Sequence, residues 1–150
     1  MKKIIYLVIL FFSLITHNAI AQNTIFPKGE ISTADNHTGN VWLKELSAAD
    51  SVFNYNIAIA TFDPGAKLDW HIHPAGQILL ITDGVGYYQE RGKLKQTVYK
   101  GDVIKCSPGV EHWHGASPKS SFTYIATTPA QKGKTIWLKR VTDEEYLNSK

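Results

Sequence analysis

The stretch WHIHPAGQILLITDGVGYYQERG, residues 70–92, decides the fold. It opens on His71-Ile72-His73, whose i, i+2 spacing puts both rings on one face of an extended strand. Pro74-Ala75-Gly76 is turn chemistry, and Ile78–Thr82 and Val85–Arg91 then read as strands, with Asp83-Gly84 as the turn between them. A second stretch, GDVIKCSPGVEHWHGASP at 101–118, repeats the pattern. A strand over Asp102–Cys106 and a turn at Ser107-Pro108-Gly109 lead into His112-Trp113-His114.

Outward from these stretches, strands are predicted over Val41–Leu46, Ser51–Phe62, Gln96–Tyr99 and Ser121–Thr128. Asp63-Pro64-Gly65, Arg91-Gly92, Lys100-Gly101 and Ser117-Pro118 punctuate them. Short strands at this spacing define an all-β sandwich or barrel. One short C-terminal helix is expected where Thr142-Asp143-Glu144-Glu145 forms a capping box. Residues 22–40 are polar and turn-rich and read as an N-terminal arm, in which His37 is taken as a solvated loop residue. Residues 41–150 form the single domain.

A chain of 150 residues with 43% hydrophobic and 19% charged side chains suits one globular domain and excludes disorder, coiled coil and collagen. Residues 1–21 read as a secretory signal peptide: Lys2-Lys3, an apolar run from Ile4 to Ile15, and Ala19-Ile20-Ala21 before the cut. The run is too short to span a bilayer, so the mature protein is expected to be periplasmic or secreted and free of the membrane. Removing this segment lowers the formal charge from +3 to about +1. No like-charge run marks a nucleic-acid partner. Cys106 is the single cysteine, so no intramolecular disulfide holds the fold.

Two H-x-H pairs on extended segments are what a divalent metal site needs, because neutral imidazole nitrogens bind manganese, iron, cobalt, nickel and zinc. Trp70 and Trp113 have the opposite parity to the pairs. They are expected to face away from the metal, into the second sheet or a partner chain, which would suit a homodimer or higher homo-oligomer.

The spacings Gly65-x5-His71-x-His73-x3-Gln77-x6-Gly84 and Gly101-Asp102-x4-Ser107-Pro108-Gly109-x2-His112 resemble the two motifs of the cupin superfamily. Cupins are double-stranded β-helix, or jelly-roll, barrels. Here Gln77 stands where the first motif usually has Glu, and Ser107 where the second usually has Pro. More closely, residues from about Thr38 to Tyr146 look like the small bacterial (R)-selective hydroxynitrile (mandelonitrile) lyases and the carboxymuconolactone-decarboxylase-associated cupins. The resemblance implies one metal, manganese in most such proteins, held by His71, His73, Gln77 and His112. It implies a catalytic role for His114, with an expected pKa near 6.5. Tyr124 replaces a His of those lyases and is expected to hold the nitrile or departing cyanide rather than act as base. Ala58 and Ala60, on the small-residue face of the Ser51–Phe62 strand, match cavity-lining positions, and Thr128 is expected with them in the substrate pocket.

Three functional classes follow from these residues. The first is a lyase of cyanohydrin-like hydroxylated small molecules, favoured by the overall resemblance, by Gln77 and by His114. The others are a metal-dependent oxygenase or isomerase, and a non-catalytic cupin that binds a small molecule through its metal. Export makes the first expected measurement simple: terminal sequencing of secreted material should start near Gln22, and an intact Met1 would refute the signal.

Overall fold

The computed structural model describes residues 25–148. The proposed signal peptide lies outside them. The strands are β1 (Glu30–Ile31), β2 (His37–Thr38), β3 (Val41–Ser47), β4 (Tyr55–Phe62), β5 (Lys67–Leu68), β6 (His71–Ile72), β7 (Gln77–Glu90), β8 (Gln96–Tyr99), β9 (Val103–Cys106), β10 (Glu111–Ala116), β11 (Phe122–Pro129) and β12 (Ile136–Trp137). A short helix α1 (Asp143–Leu147) closes the described chain. All pairings are antiparallel. This is the all-β double-stranded β-helix that the strand spacing and the motifs implied, with its C-terminal helix.

Two departures from the sequence reading have local causes. The strand expected from Ser51 begins at Tyr55, because the Asp50 carboxylate accepts the backbone N–H groups of Val52 and Phe53 at 2.7 and 2.6 Å and bends the chain there. Asp83-Gly84 is not a turn between two strands. It lies inside the single 14-residue strand β7, where the pairing with β11 shifts register after Tyr124–Ile81. Gly84 has φ +76°, and a Cβ there would sit 1.9 Å from the Ser121 carbonyl oxygen, so only glycine lets the strand bend against β11.

That bend lets β7 serve both walls. Its first half pairs with β11 and β9, its second half with β10 and β8. One wall runs β1-β3-β4-β11-β7-β9; in the other, β10 pairs with β7 on one edge and with β5 and β6 on the other. The arm takes part in both, β1 against β3 and β2 against β5.

Inward-facing side chains form one core around Phe62, Phe122, Leu79 and Ile81. A second core, Trp70, Trp113, Val141 and Tyr146, lies on the outer face of β10. The tryptophans do point away from the histidines, but the chain's own C-terminal segment covers them, so they present no surface to a partner. Trp113 Nε1 donates to Gln89 Oε1 at 2.9 Å, and the Tyr146 hydroxyl donates to the Ala116 carbonyl at 2.7 Å. The Arg91 guanidinium lies 3.5 Å from the centroid of the Trp70 ring, adding a cation–π contact.

Helix α1 has only five residues and depends on its cap. Thr142 Oγ1 accepts from Glu145 N, and the Glu145 carboxylate accepts from Thr142 N, Lys139 and Arg91. Burial raises the Glu145 pKa, but these bonds outweigh it and hold the group down at about 2, below its ordinary 4.5. A depressed folded-state pKa stabilises above the unfolded value and loses that contribution as pH falls. Glu145→Gln should therefore lower the melting temperature at pH 7, with the difference from wild type shrinking between pH about 4.5 and about 2. A difference of equal size at pH 7 and pH 2 would show that the carboxylate charge does not anchor the helix.

Candidate metal centre

His71 on β6 and His112 on β10 are directly opposed across the strand pair, and their ring centroids are 4.4 Å apart. His73 follows β6 in a tight turn whose carbonyl accepts from both Gly76 N and Gly109 N, at 3.0 and 3.1 Å. This ties the turn after the first histidine pair to the turn before the second. The candidate ligand atoms of His71, His73 and His112 all lie within 4.8 Å of one another.

The backbone decides which nitrogen each ring offers. His71 Nδ1 lies 2.8 Å from the Asp69 carbonyl oxygen, and His112 Nδ1 lies 2.9 Å from that of Val110. A carbonyl only accepts, so each Nδ1 carries the proton and each Nε2 keeps its lone pair. His73 Nδ1 lies 3.1 Å from the Thr135 hydroxyl. All three Nε2 atoms are buried without a hydrogen-bond partner.

Gln77, at the start of β7, completes the group. Its Nε2 donates to Thr128 Oγ1 at 2.9 Å, which leaves Oε1 buried and unpartnered. The Nε2 atoms of His71, His73 and His112 and the Gln77 Oε1, brought together without partners, would destabilise the interior, whereas a divalent cation would satisfy them. The residues therefore fit a metal. Burial, reinforced by neighbouring histidines, pushes His71 well below the ordinary imidazole range and His73 down to about 4; burial also lowers His112. The rings stay neutral and available as donors.

His114, on the same face of β10 as His112, is 1% exposed, and neither of its nitrogens has a partner. Its ring centroid is 5.1 Å from those of His71 and Tyr124. The expected pKa near 6.5 does not hold, because burial and then the His71, His112 and His73 rings keep it well below that value. Tyr124 packs against Phe62 and Phe122, and burial pushes its hydroxyl far above the ordinary range, so it remains a donor.

A cavity of about 310 Å³ joins these groups. Ala58 and Ala60 line it from β4, opposite Ala126 and Tyr124 of β11, and Thr128 lines it too. Thr128 does more than line it, since it also orients Gln77. Several lining residues were not singled out as site residues from sequence, among them Trp137, whose ring centroid lies 4.9 Å from that of His71, as well as Thr135 and His37. Thr135 acts from a loop 62 residues beyond His73, and no local pattern marks it. His37, read as a solvated loop residue, lines the cavity because β2 pairs with β5.

Comparison with known proteins agrees with this geometry. Residues 58–127 match the Cupin domain family. An (R)-mandelonitrile lyase from Granulicella tundricola is 41% identical over 114 residues, covering 75% of this chain and 87% of that protein. The crystal structure of a cupin-like protein from Thermotoga maritima superposes with a TM-score of 0.82 at 43% identity, covering 85% of this chain and 97% of that one. A cupin 2 conserved barrel domain protein from Rhodopseudomonas palustris shares the fold at 18% identity and TM-score 0.61, over 76% of this chain and 75% of its own. The chain belongs to the cupin superfamily. Within it, the chain is similar to a mandelonitrile lyase over most of its length.

The hydrogen bonds around the histidines set the next expected outcome. Thr128→Val removes the acceptor that orients Gln77 and should weaken metal binding about 10–100-fold, read by competition against a chelating dye. The double variant His71→Ala, His112→Ala should lose the metal in elemental analysis. Full occupancy in that variant would rule the site out.

Proposed function

We propose that this cupin is a metal-dependent lyase that cleaves cyanohydrins, or closely related hydroxylated small molecules, to an aldehyde and hydrogen cyanide. The observation that carries the reading is His114, a buried imidazole with both nitrogens unpartnered, beside the ligand cluster. The likeness to a protein named as a mandelonitrile lyase supports it. We assign His71, His73, His112 and Gln77 as ligands, with manganese the first choice and iron, zinc, nickel or cobalt accepted by the same donors. Bound there, the metal supplies Lewis acidity toward a substrate oxygen, undiminished by any carboxylate ligand.

The side chains supply the rest. His114 takes the proton from the substrate hydroxyl, and the carbonyl forms as the bond to the nitrile carbon breaks, with that electron pair leaving on cyanide. The proton returns from the imidazolium to cyanide, so atoms and charge balance. Tyr124 donates a hydrogen bond to the nitrile nitrogen, and its high pKa keeps it from acting as base. Ala58 and Ala60 leave room for the aldehyde substituent. We also propose that this chemistry takes place outside the cytoplasm, on the strength of residues 1–21.

Three histidines alone also suit iron(II) and oxygen chemistry, and two assays separate the readings. The metal-loaded protein should release benzaldehyde and cyanide from mandelonitrile above the spontaneous rate. His114→Ala should cut that rate by about 10²–10⁴ with the metal retained, and Tyr124→His should raise it. Oxygen uptake with a small substrate, and no benzaldehyde from mandelonitrile, would replace the lyase with an oxygenase.

A further inference from the structure

We propose that His37 is a substrate-binding residue that accepts a hydrogen bond from a second hydroxyl on the substrate, so that the preferred substrates are aromatic and carry a ring hydroxyl. The proposal rests on the lyase reading and adds the substrate class.

The geometry begins in the arm. Strand β2 pairs with β5 with His37 opposite Leu68, which lays the arm beside the segment leading to His71 and sets the His37 ring in the cavity wall. His37 Nδ1 lies 3.0 Å from the Gly39 carbonyl oxygen. The carbonyl can only accept, so Nδ1 holds the proton, and in the neutral ring Nε2 is an acceptor. That Nε2 is buried and has no partner.

The cavity residues contributed by β3, β4 and β5 near the arm include the apolar Val41, Leu43, Phe62 and Leu68; Ser32, Asn36 and Asn56 also line the cavity, but none of them is hydrogen-bonded to His37 Nε2. A buried acceptor left unmatched is costly, and a bound molecule bringing an O–H group would relieve that cost. The cyanohydrin's own hydroxyl is engaged at the metal end, where His114 takes its proton. The donor to His37 must therefore be another group. An aromatic ring suits the apolar wall, and a hydroxyl on that ring supplies the donor without adding charge.

Benzyl alcohol and its ring-hydroxylated forms test this, since they keep the benzylic hydroxyl and cannot react. Their binding to the manganese-loaded full chain would be titrated by calorimetry at pH about 7.5, where phenols stay protonated. At least one of 2-, 3- and 4-hydroxybenzyl alcohol should bind wild type about tenfold more tightly than benzyl alcohol. His37→Phe keeps an aromatic ring and removes the acceptor, so the preference should fall below about twofold with benzyl alcohol affinity unchanged. Equal affinities in wild type would overturn the assignment without any variant. So would a preference that survives in both His37→Phe and His37→Ala. Those outcomes leave the lyase reading standing, and failure of every alcohol to bind would likewise overturn the His37 assignment, whereas the lyase reading falls only with the absence of benzaldehyde release from mandelonitrile.

Discussion

Two hydrogen bonds from imidazole to main chain, His71 to Asp69 and His112 to Val110, set the chemistry of the whole interior. Each reaches the carbonyl two residues earlier, so the strand that carries the ring also fixes its tautomer and aim. The two rings oppose each other across the β6–β10 pair, and a one-residue slip would turn His112 outward and Trp113 inward. The second core resists that slip. Trp113 is held by Gln89 and covered by Tyr146, whose hydroxyl is bound to the Ala116 carbonyl on the same strand as the histidines. The packing outside the barrel thus maintains the register on which the ligand geometry inside depends.

The candidate ligand set is uncharged, and this shapes its surroundings. Three neutral imidazoles and an amide can be buried together at less cost than a carboxylate, and burial itself keeps the rings neutral. The amide must present oxygen rather than nitrogen, and Thr128 selects that orientation by accepting from Nε2. A glutamate in that place would need no such selection, so the pairing of Gln77 with Thr128 is one device split between β7 and β11.

Much of this was legible from the sequence where the signal is local. Parity put His71 with His73 and His112 with His114 on one face of their strands and Trp70 and Trp113 on the opposite face, the family resemblance turned the histidine face inward, and the alternation along residues 53–60 marked Ala58 and Ala60 as the small-residue face. The capping box at Thr142–Glu145 marked the helix, and both of its bonds are present. What escaped depends on partners distant along the chain. Asp83-Gly84 has turn composition, but Gly84 answers to Ser121 across the sheet. Thr135 matters through His73, and His37 through Leu68. Two-residue strands such as β2, β5 and β6 carry no periodicity, so the wall they build is visible only when folded.

The bent strand β7 has a further consequence for how the molecule opens. Its fourteen residues run through both walls, so neither wall can separate from the other while the strand stays paired. The barrel is therefore expected to lose its structure as one cooperative unit, with the amide hydrogens along β7 protected until both walls separate. Gln77 begins this strand and Glu90, opposite His112, ends it. The candidate metal centre is thus attached to this strand through Gln77, while the arm meets it at the other side, where Asn36 accepts from Asp69 N, two residues before His71.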